Sequence, residues 1–180
     1  MWRRNLLELA ASCPEIAGAD TSNASSAREA PMPDVDDLVT TFLPRLVNAE
    51  RALRDGDPSA RPAIWSHVTP VTFFGAAVSR SGWDEIAPAF EALAAQFSDC
   101  RSFDYEVIAA GASGDLAYLV GYEHTTTGVA GAEPERYSLR VTTILRREEG
   151  EWKVVHRHGD PTPDSASARE QVVRMQQRLS

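Results

Sequence analysis

The stretch LRVTTILRREEGEWKVVHRH (Leu139–His158) decides how this chain folds. Two runs rich in β-branched residues flank a charged Glu-Glu-Gly segment, which predicts two strands joined by a tight turn. Strands that are so close in sequence pair antiparallel, as a hairpin. The second run carries His156 and His158. Because side chains alternate along a strand, both imidazole rings should leave the same face, which marks a candidate site.

The length of the hairpin loop sets which side chains lie opposite each other. A three-residue loop, Glu148 to Gly150, pairs Thr142 with His156 and Arg140 with His158. A two-residue loop turns the histidines to the other face. We favour the three-residue loop because Gly150 readily takes the positive φ that it requires.

More strands and helices precede this hairpin. The alternating segments 101–110 and 116–127 extend it into an antiparallel meander, and VTPVTFFG (Val68–Gly75) predicts an earlier strand. A short strand near 78–81 and a helix over 82–98 follow that earlier strand. The chain therefore has an α+β layout, with helices on one face of a curved sheet.

A long first helix should begin at Asp34, a good N-cap, and end near Gly56. Pro44 lies inside it and should kink it. An apolar stripe follows helical spacing along it: Val35, Leu38, Val39, Phe42, Leu46, Val47 and Leu53. We expect residues 1–33 to be a flexible tail, residues 34–161 to be the folded domain, and residues 162–180 to form a polar helix or tail.

Composition excludes several classes of function. A net charge of −8 over 180 residues opposes binding to nucleic acid and to anionic membranes. Cys13 and Cys100 are too few for a disulfide scaffold. The start, MWRRNLLELAASC, has only a short apolar run that Glu8 interrupts, so we expect a cytoplasmic protein.

Several strings resemble the nuclear transport factor 2-like superfamily, and within it the SnoaL-like and ketosteroid-isomerase-like small proteins. They are WSHVTPVTFFG, GWDEIAPAFEALAAQF, SGDLAYLVGYEH and LRVTTILRREEGEWKVVHRH, and they lie within residues 35–161. WKVVHRHGD also resembles the last strand of the calcium/calmodulin-dependent kinase association domain. The resemblance implies a cone-shaped fold, in which a curved, mostly antiparallel sheet wraps around the long first helix and leaves a pocket. It also implies a homodimer that pairs through the convex sheet face.

Within that fold we expect a ligand pocket built from residues on three strands. Its polar wall would hold Glu123, Arg140, Thr142 and His156, under the aromatic side chains of Trp65, Phe74 and Trp83. A buried arginine wants a carboxylate, and Glu123 is available to Arg140. The alternative is a purely structural ion pair and a packed histidine in a dimer core.

His67, His158 and Asp160 are the candidate catalytic residues. His67 or His158 would serve as a general base near neutral pH, and a His158–Asp160 dyad is the arrangement that dehydratases of this superfamily use. Two alternatives stay open: His67 bonds a helix carbonyl, and Asp160 is a turn residue before Pro161.

The histidine pair also allows a zinc site, with His67 or Glu123 as third ligand. However, Pro161 stands where the HxHxDH motif of metallo-hydrolases has its last histidine. No nucleotide-binding or serine-hydrolase motif is present either. We therefore predict neither metal nor cofactor.

Taken together, the residues and the resemblance predict a small-molecule-binding domain. Cofactor-free acid–base chemistry on an apolar or polyketide-like compound, by an isomerase, cyclase or dehydratase, is the activity that the resemblance allows. The alternative is a non-catalytic dimerisation or ligand-sensing module.

Overall fold

A long helical segment opens the described part of the chain, which in this computed structural model comprises residues 33–163 and 166–179. It consists of α1 (Pro33–Asp37), a π-helical turn (Leu38–Phe42) and α2 (Leu43–Arg54). The π-helical turn lies where the kink was predicted. Pro44 has no N–H group and its ring crowds the carbonyl four residues earlier, and a widened turn, in which the Leu43 N–H group donates to the Leu38 carbonyl, makes room for it. Residues 1–32 of the predicted flexible tail lie outside the described part of the chain.

Three further helices and six strands follow. The helices are α3 (Arg61–Ile64), α4 (Trp83–Ala94) and α5 (Ala166–Leu179); the strands are β1 (Thr72–Phe74), β2 (Ser79–Ser81), β3 (Phe97–Ser113), β4 (Leu116–Val129), β5 (Glu135–Glu148) and β6 (Glu151–Pro161). Helix α4 ends earlier than its apolar stripe predicts, because Phe97 starts a strand. Within the described ranges, no helix combines the length and apolar character needed to cross a membrane.

The strands form one curved, unclosed sheet in the order β2-β1-β6-β5-β4-β3. Strands β3 to β6 are the expected antiparallel meander. Strand β1 pairs antiparallel with β2 but parallel with β6, in a register that places Thr72 opposite His156. These pairings confirm the α+β fold class and the mostly antiparallel sheet.

The hairpin between β5 and β6 has a two-residue loop, so the favoured three-residue loop is wrong. Glu148 pairs with Glu151, and both loop residues have positive φ, 51° at Glu149 and 84° at Gly150. Two consecutive positive φ angles are the signature of a type I′ turn, whose twist matches that of the strands. A bulge at Val155 then shifts the register by one residue, because Leu145 pairs with Val154 but Ile144 pairs with His156.

The bulge divides β6 between the two faces of the sheet. Before it, Trp152 and Val154 are buried on the face that packs on the helices, which we call the inner face. After it, Arg157 is the buried side chain. His156 and His158 therefore lie on the opposite, outer face, and they share that face with the partners of their register, Ile144 and Thr142.

Helix α5 covers part of the inner core. Ala168 and Met175 are buried in the same apolar cluster as Phe42 and Phe73, and Gln171 is buried between them. The sequence predicts this helix to lie outside the domain because its composition is polar. Its few small and apolar side chains nevertheless share one face at helical spacing, and that face packs on the domain.

Candidate functional site

Five buried charged side chains form an ion cluster on the inner side of the sheet: Glu50, Arg54, Arg61, Glu123 and Arg157. Glu50 accepts hydrogen bonds from Arg61 Nε at 2.9 Å, from Arg61 Nη2 at 2.6 Å and from Arg54 Nη1 at 2.6 Å. Glu123 Oε2 accepts from Arg54 Nη2 and, at 2.7 Å, from Arg157 Nη2. The two carboxylates and three guanidinium groups thus form one connected network.

Four separate elements bring the ion cluster together. Glu50 and Arg54 lie one turn apart on α2, and Arg61 begins α3. Glu123 lies on the inner face of β4, opposite Leu139 of β5. Arg157 reaches the same face because the Val155 bulge turns it inward.

The ion cluster carries one excess positive charge, since three arginines face two glutamates. Burial opposes ionisation of Glu50, but Arg61, Arg54 and Arg157 together hold its pKa well below its usual value. Burial lowers the pKa of Arg61, against the attraction of Glu50, whereas Glu123 raises the pKa of Arg157 despite its burial. Arginine stays protonated throughout the physiological range, so the excess charge is present in the folded protein.

Each of the three arginines also keeps one nitrogen whose N–H bonds have no acceptor among the described residues. These nitrogens are Arg54 Nε, Arg61 Nη1 and Arg157 Nε. Aromatic rings support the guanidinium groups: Arg61 lies 4.6 Å from the Phe90 ring centroid, and Arg54 lies 4.6 Å from that of Phe103. These nitrogens are buried, and the aromatic rings hold the guanidinium groups that carry them in place.

A cavity of about 60 Å³, which we call the inner cavity, adjoins the ion cluster. Its charged lining residues are Arg54, Arg61 and Arg157, while the two glutamates lie behind them. Apolar side chains make up most of the remaining wall: Leu53, Phe73, Ala76, Ala77, Val78, Leu93, Phe97, Val129, Leu139, Ala168, Val172 and Met175. Such a site suits a small anion with an apolar body.

The structure separates the residues that the sequence assigns to one pocket. Glu123 lies on the inner face, but Arg140 pairs with Tyr122 and lies on the outer face with Thr142, His156 and His158. Glu123 and Arg140 therefore form no pair, and the buried partners of Glu123 are Arg54 and Arg157.

A shallow hollow of about 400 Å³ on the outer face brings other predicted residues together. Arg140, Thr142, His158 and Asp160 line it, and His158 Nε2 lies 3.1 Å from Asp160 Oδ2. Both side chains of this pair are about half exposed, at 51% and 48%, so solvent screens their attraction. His156 Nδ1 lies 2.7 Å from Thr72 Oγ1, and burial together with His158 lowers the pKa of His156.

The remaining predicted residues lie elsewhere. His67 is exposed, stacks on Trp83 with ring centroids 3.7 Å apart, and has Nε2 3.0 Å from the Pro62 carbonyl oxygen of α3. This contact is the one expected if His67 bonds a carbonyl group of the preceding helix instead of acting as a general base. Trp65 is buried in the core, and Phe74 is an exposed outer-face residue beside His156.

Among the described residues, no three of His, Cys, Asp and Glu lie close enough to share a metal ion.

Sequence reasoning missed Glu50, Arg54, Arg61 and Arg157. One signal for the first two is present, because Glu50 and Arg54 follow Leu46 at intervals of four and so fall on the apolar stripe of α2. Charged residues on a buried stripe need partners of opposite charge. Arg157 has no such signal, since the bulge that turns it inward leaves no mark in the alternation of β6.

A family model described as SnoaL-like domain matches residues 46–162. No curated protein sequence matches the chain. A proposed dehydratase of the nuclear transport factor 2-like family from Streptomyces avermitilis has a similar structure, with a TM-score of 0.61, 18% identity, and coverage of 72% of this chain and 99% of that one.

Two further solved structures are similar. A nuclear transport factor 2-like superfamily protein from Salmonella enterica serovar Typhimurium has a TM-score of 0.59, with 16% identity over 74% of this chain and 96% of that one. A proposed ketosteroid isomerase from Parabacteroides distasonis has a TM-score of 0.53, with 14% identity over 68% of this chain and 86% of that one. At these identities the likeness shows the fold alone.

Proposed function

Since this chain belongs to the SnoaL-like domain family, we propose that it is a small-molecule-binding domain whose inner cavity takes a compact organic anion. The observation that carries this proposal is the excess positive charge of the ion cluster, whose three arginines line the cavity and each keep a buried nitrogen without an acceptor among the described residues. A concave, mostly apolar cavity with a few charged side chains in its wall has the features of a ligand site.

A carboxylate is the ligand group whose charge and hydrogen-bonding capacity best match this cavity. A buried charge without a counter-charge is costly, and an anion beside Arg61 and Arg157 would neutralise the ion cluster. Guanidinium groups bind carboxylates through directional, charge-assisted hydrogen bonds. The volume of the cavity is on the order of five times that needed for one water molecule, so the acid should have a short apolar chain.

The inner cavity favours binding over catalysis. Among its described lining residues are no histidine and no carboxylate, and its titratable hydroxyl belongs to Tyr137. Burial raises the pKa of Tyr137, although Arg54 opposes the rise. A general base needs a pKa close to the working pH, so ligand binding is the primary role. Catalytic roles for His67, His158 and Asp160 stay predictions.

Calorimetric titration and thermal unfolding with straight-chain carboxylic acids of three to six carbons test this function. We expect at least one acid to raise the midpoint of thermal unfolding, while the primary amide of equal length does not, because the amide lacks the charge. At a ligand concentration of 100 times Kd, the stabilisation should be about 2.7 kcal/mol.

An Ala77→Phe variant enlarges a side chain of the cavity wall and leaves the five residues of the ion cluster unaltered, so it tests whether the cavity is the binding site. It should fold and lose the response to acids. If no acid stabilises the protein, or if Ala77→Phe responds as the unaltered protein does, the proposed function is wrong.

We propose, secondly, that the outer face of the sheet binds a second copy of this chain. Five large apolar side chains stand exposed there: Phe74, Ile108, Leu116, Tyr118 and Ile144. An exposed apolar patch of this kind marks an interaction surface. A second copy of the chain, related by a two-fold axis, can cover such a face of the sheet with the same face of its own sheet.

Analytical ultracentrifugation checks this dimer. Ile144→Asp should convert the dimer into monomers, because each chain would then bury a carboxylate in the interface with the other chain. Val173→Asp, which places the same charge on an exposed position of α5, should leave the dimer intact. A monomeric unaltered protein at micromolar concentration would refute the proposal.

A further inference from the structure

Helix α5 supplies one wall of the inner cavity, through Ala168, Gln171, Val172 and Met175. Three of these side chains are small or apolar, and two of them, Ala168 and Met175, belong to the apolar core. Gln171 differs from them because it is a polar side chain that is only 4% exposed. A buried amide needs hydrogen-bond partners for both its oxygen and its nitrogen.

Only one end of the Gln171 amide is satisfied within the described part of the chain. Nε2 donates to Glu135 Oε2 at 3.4 Å, at the start of β5. The same carboxylate lies 3.5 Å from Arg174 Nη2. Because Glu135 can only accept, this contact fixes the orientation of the amide, and Oε1 is left without a donor among the described residues.

The residues that line the cavity therefore carry buried, unpaired polar atoms of two opposite kinds, donors and an acceptor. The arginine side of its wall has N–H groups that lack acceptors, and the α5 side has an oxygen that lacks a donor. A carboxylic acid without another polar group would pair with the arginines and leave Gln171 Oε1 unpaired. A ligand that carries both a carboxylate and a neutral hydrogen-bond donor would pair with the arginines and with Gln171.

We infer that the ligand of the inner cavity is a short hydroxy acid. Its carboxylate binds at Arg61 and Arg157, and its hydroxyl group donates to Gln171 Oε1. An amino acid fits less well, because its ammonium group would restore the excess positive charge that the carboxylate removes. The inference rests on the proposed function, since it adds a second contact to the same anion.

Gln171 is then a specificity-determining residue on a helix that closes over the ligand. A site that is built to pair with a hydroxyl group rejects the analogue that lacks it, since the polar group of the protein is then left unpaired. The chain length of the preferred acid would report the distance between the arginines and Gln171.

Calorimetric titration with three matched probes tests the inference: hydroxy acids of three to six carbons, the corresponding acids without the hydroxyl group, and the methyl ethers of the hydroxy acids. The best hydroxy acid should bind about tenfold more tightly than its parent acid. The methyl ether has no donor and should lose that advantage.

Gln171→Leu should bind the parent acid as before and lose the preference for the hydroxy acid. Gln177→Leu, an exposed change on the same helix, should keep it. Circular dichroism checks folding, and Gln171→Met is a second variant if Gln171→Leu does not fold.

The outcomes separate the two claims. If the unaltered protein binds parent and hydroxy acids equally, or if Gln171→Leu keeps the preference, the hydroxy-acid inference is wrong and the proposed anion site stands. If no acid of any kind binds, the proposed function and the inference both fail.

Discussion

Replacing Glu50 with glutamine is expected to lower the free energy of unfolding by about 3–5 kcal/mol. Glu50 is completely buried and accepts hydrogen bonds from both Arg54 and Arg61. Glutamine keeps the size of the side chain but removes its charge. The ion cluster would then hold three buried guanidinium groups against the single carboxylate of Glu123.

Denaturant unfolding followed by circular dichroism measures this loss. Arg157→Met is the informative counterpart, because it leaves two arginines facing two glutamates and so removes the excess charge. We expect Arg157→Met to be less destabilising than Glu50→Gln and to weaken carboxylate binding. Glu151→Gln, an exposed partner of Arg45 and Lys153, should have little effect. Equal losses in Glu50→Gln and Glu151→Gln would contradict a buried network.

The same residue makes stability depend on pH in a definite direction. The folded-state pKa of Glu50 is held below its ordinary value of 4.5, against the effect of burial, by its three arginine neighbours. Its contribution is therefore complete above about pH 4.5 and is lost as the pH falls further. Between that pH and the onset of acid unfolding, Glu50→Gln should show a shallower decline than the unaltered protein.

Trp65→Ala is expected to cost about 3–5 kcal/mol of stability. Trp65 is 2% exposed, and its ring contacts Phe73 and Phe90 edge-on at centroid distances of 5.7 and 5.2 Å. It also forms a bridge to Val154 of β6. Alanine would leave a cavity between helix and sheet that the rigid strands cannot close.

Thermal and denaturant unfolding check this second expectation, with Trp83→Ala as the matched control. Trp83 is half-buried and stacks on the exposed His67, so its loss should cost clearly less. If Trp65→Ala unfolds like the unaltered protein but no longer responds to carboxylic acids, Trp65 belongs to the ligand site rather than to the core.

Much of the fold could be predicted from local patterns. The apolar stripe of the first helix, Pro44 within it, and the alternating strands around Ser113-Gly114-Asp115 and Glu149-Gly150 each reflect interactions between residues close in sequence. The side-chain periods of helices and strands depend on local backbone geometry, which is the same whatever surrounds the segment in the folded protein. These patterns also carry the resemblance that the match to the SnoaL-like family confirms.

The candidate site depended on contacts that no local pattern describes. His156 and His158 attract notice in the sequence, yet one bulged residue, Val155, places them outside and turns Arg157 inward. Glu123 was expected to meet Arg140, and it meets Arg54 and Arg157 instead. Side-chain alternation states which residues share a face, but a bulge resets it partway along a strand.

By itself, the sequence determined the α+β order of helices and strands, the antiparallel meander and the family. Only the tertiary structure decided which charges are buried together, that they leave an excess positive charge, and that α5 completes the cavity beside them. The physical reason is that secondary structure follows from neighbours along the chain, whereas the energy of a charge depends on what surrounds it in space. For Glu50, Arg61, Glu123 and Arg157, those surroundings come from four separate elements.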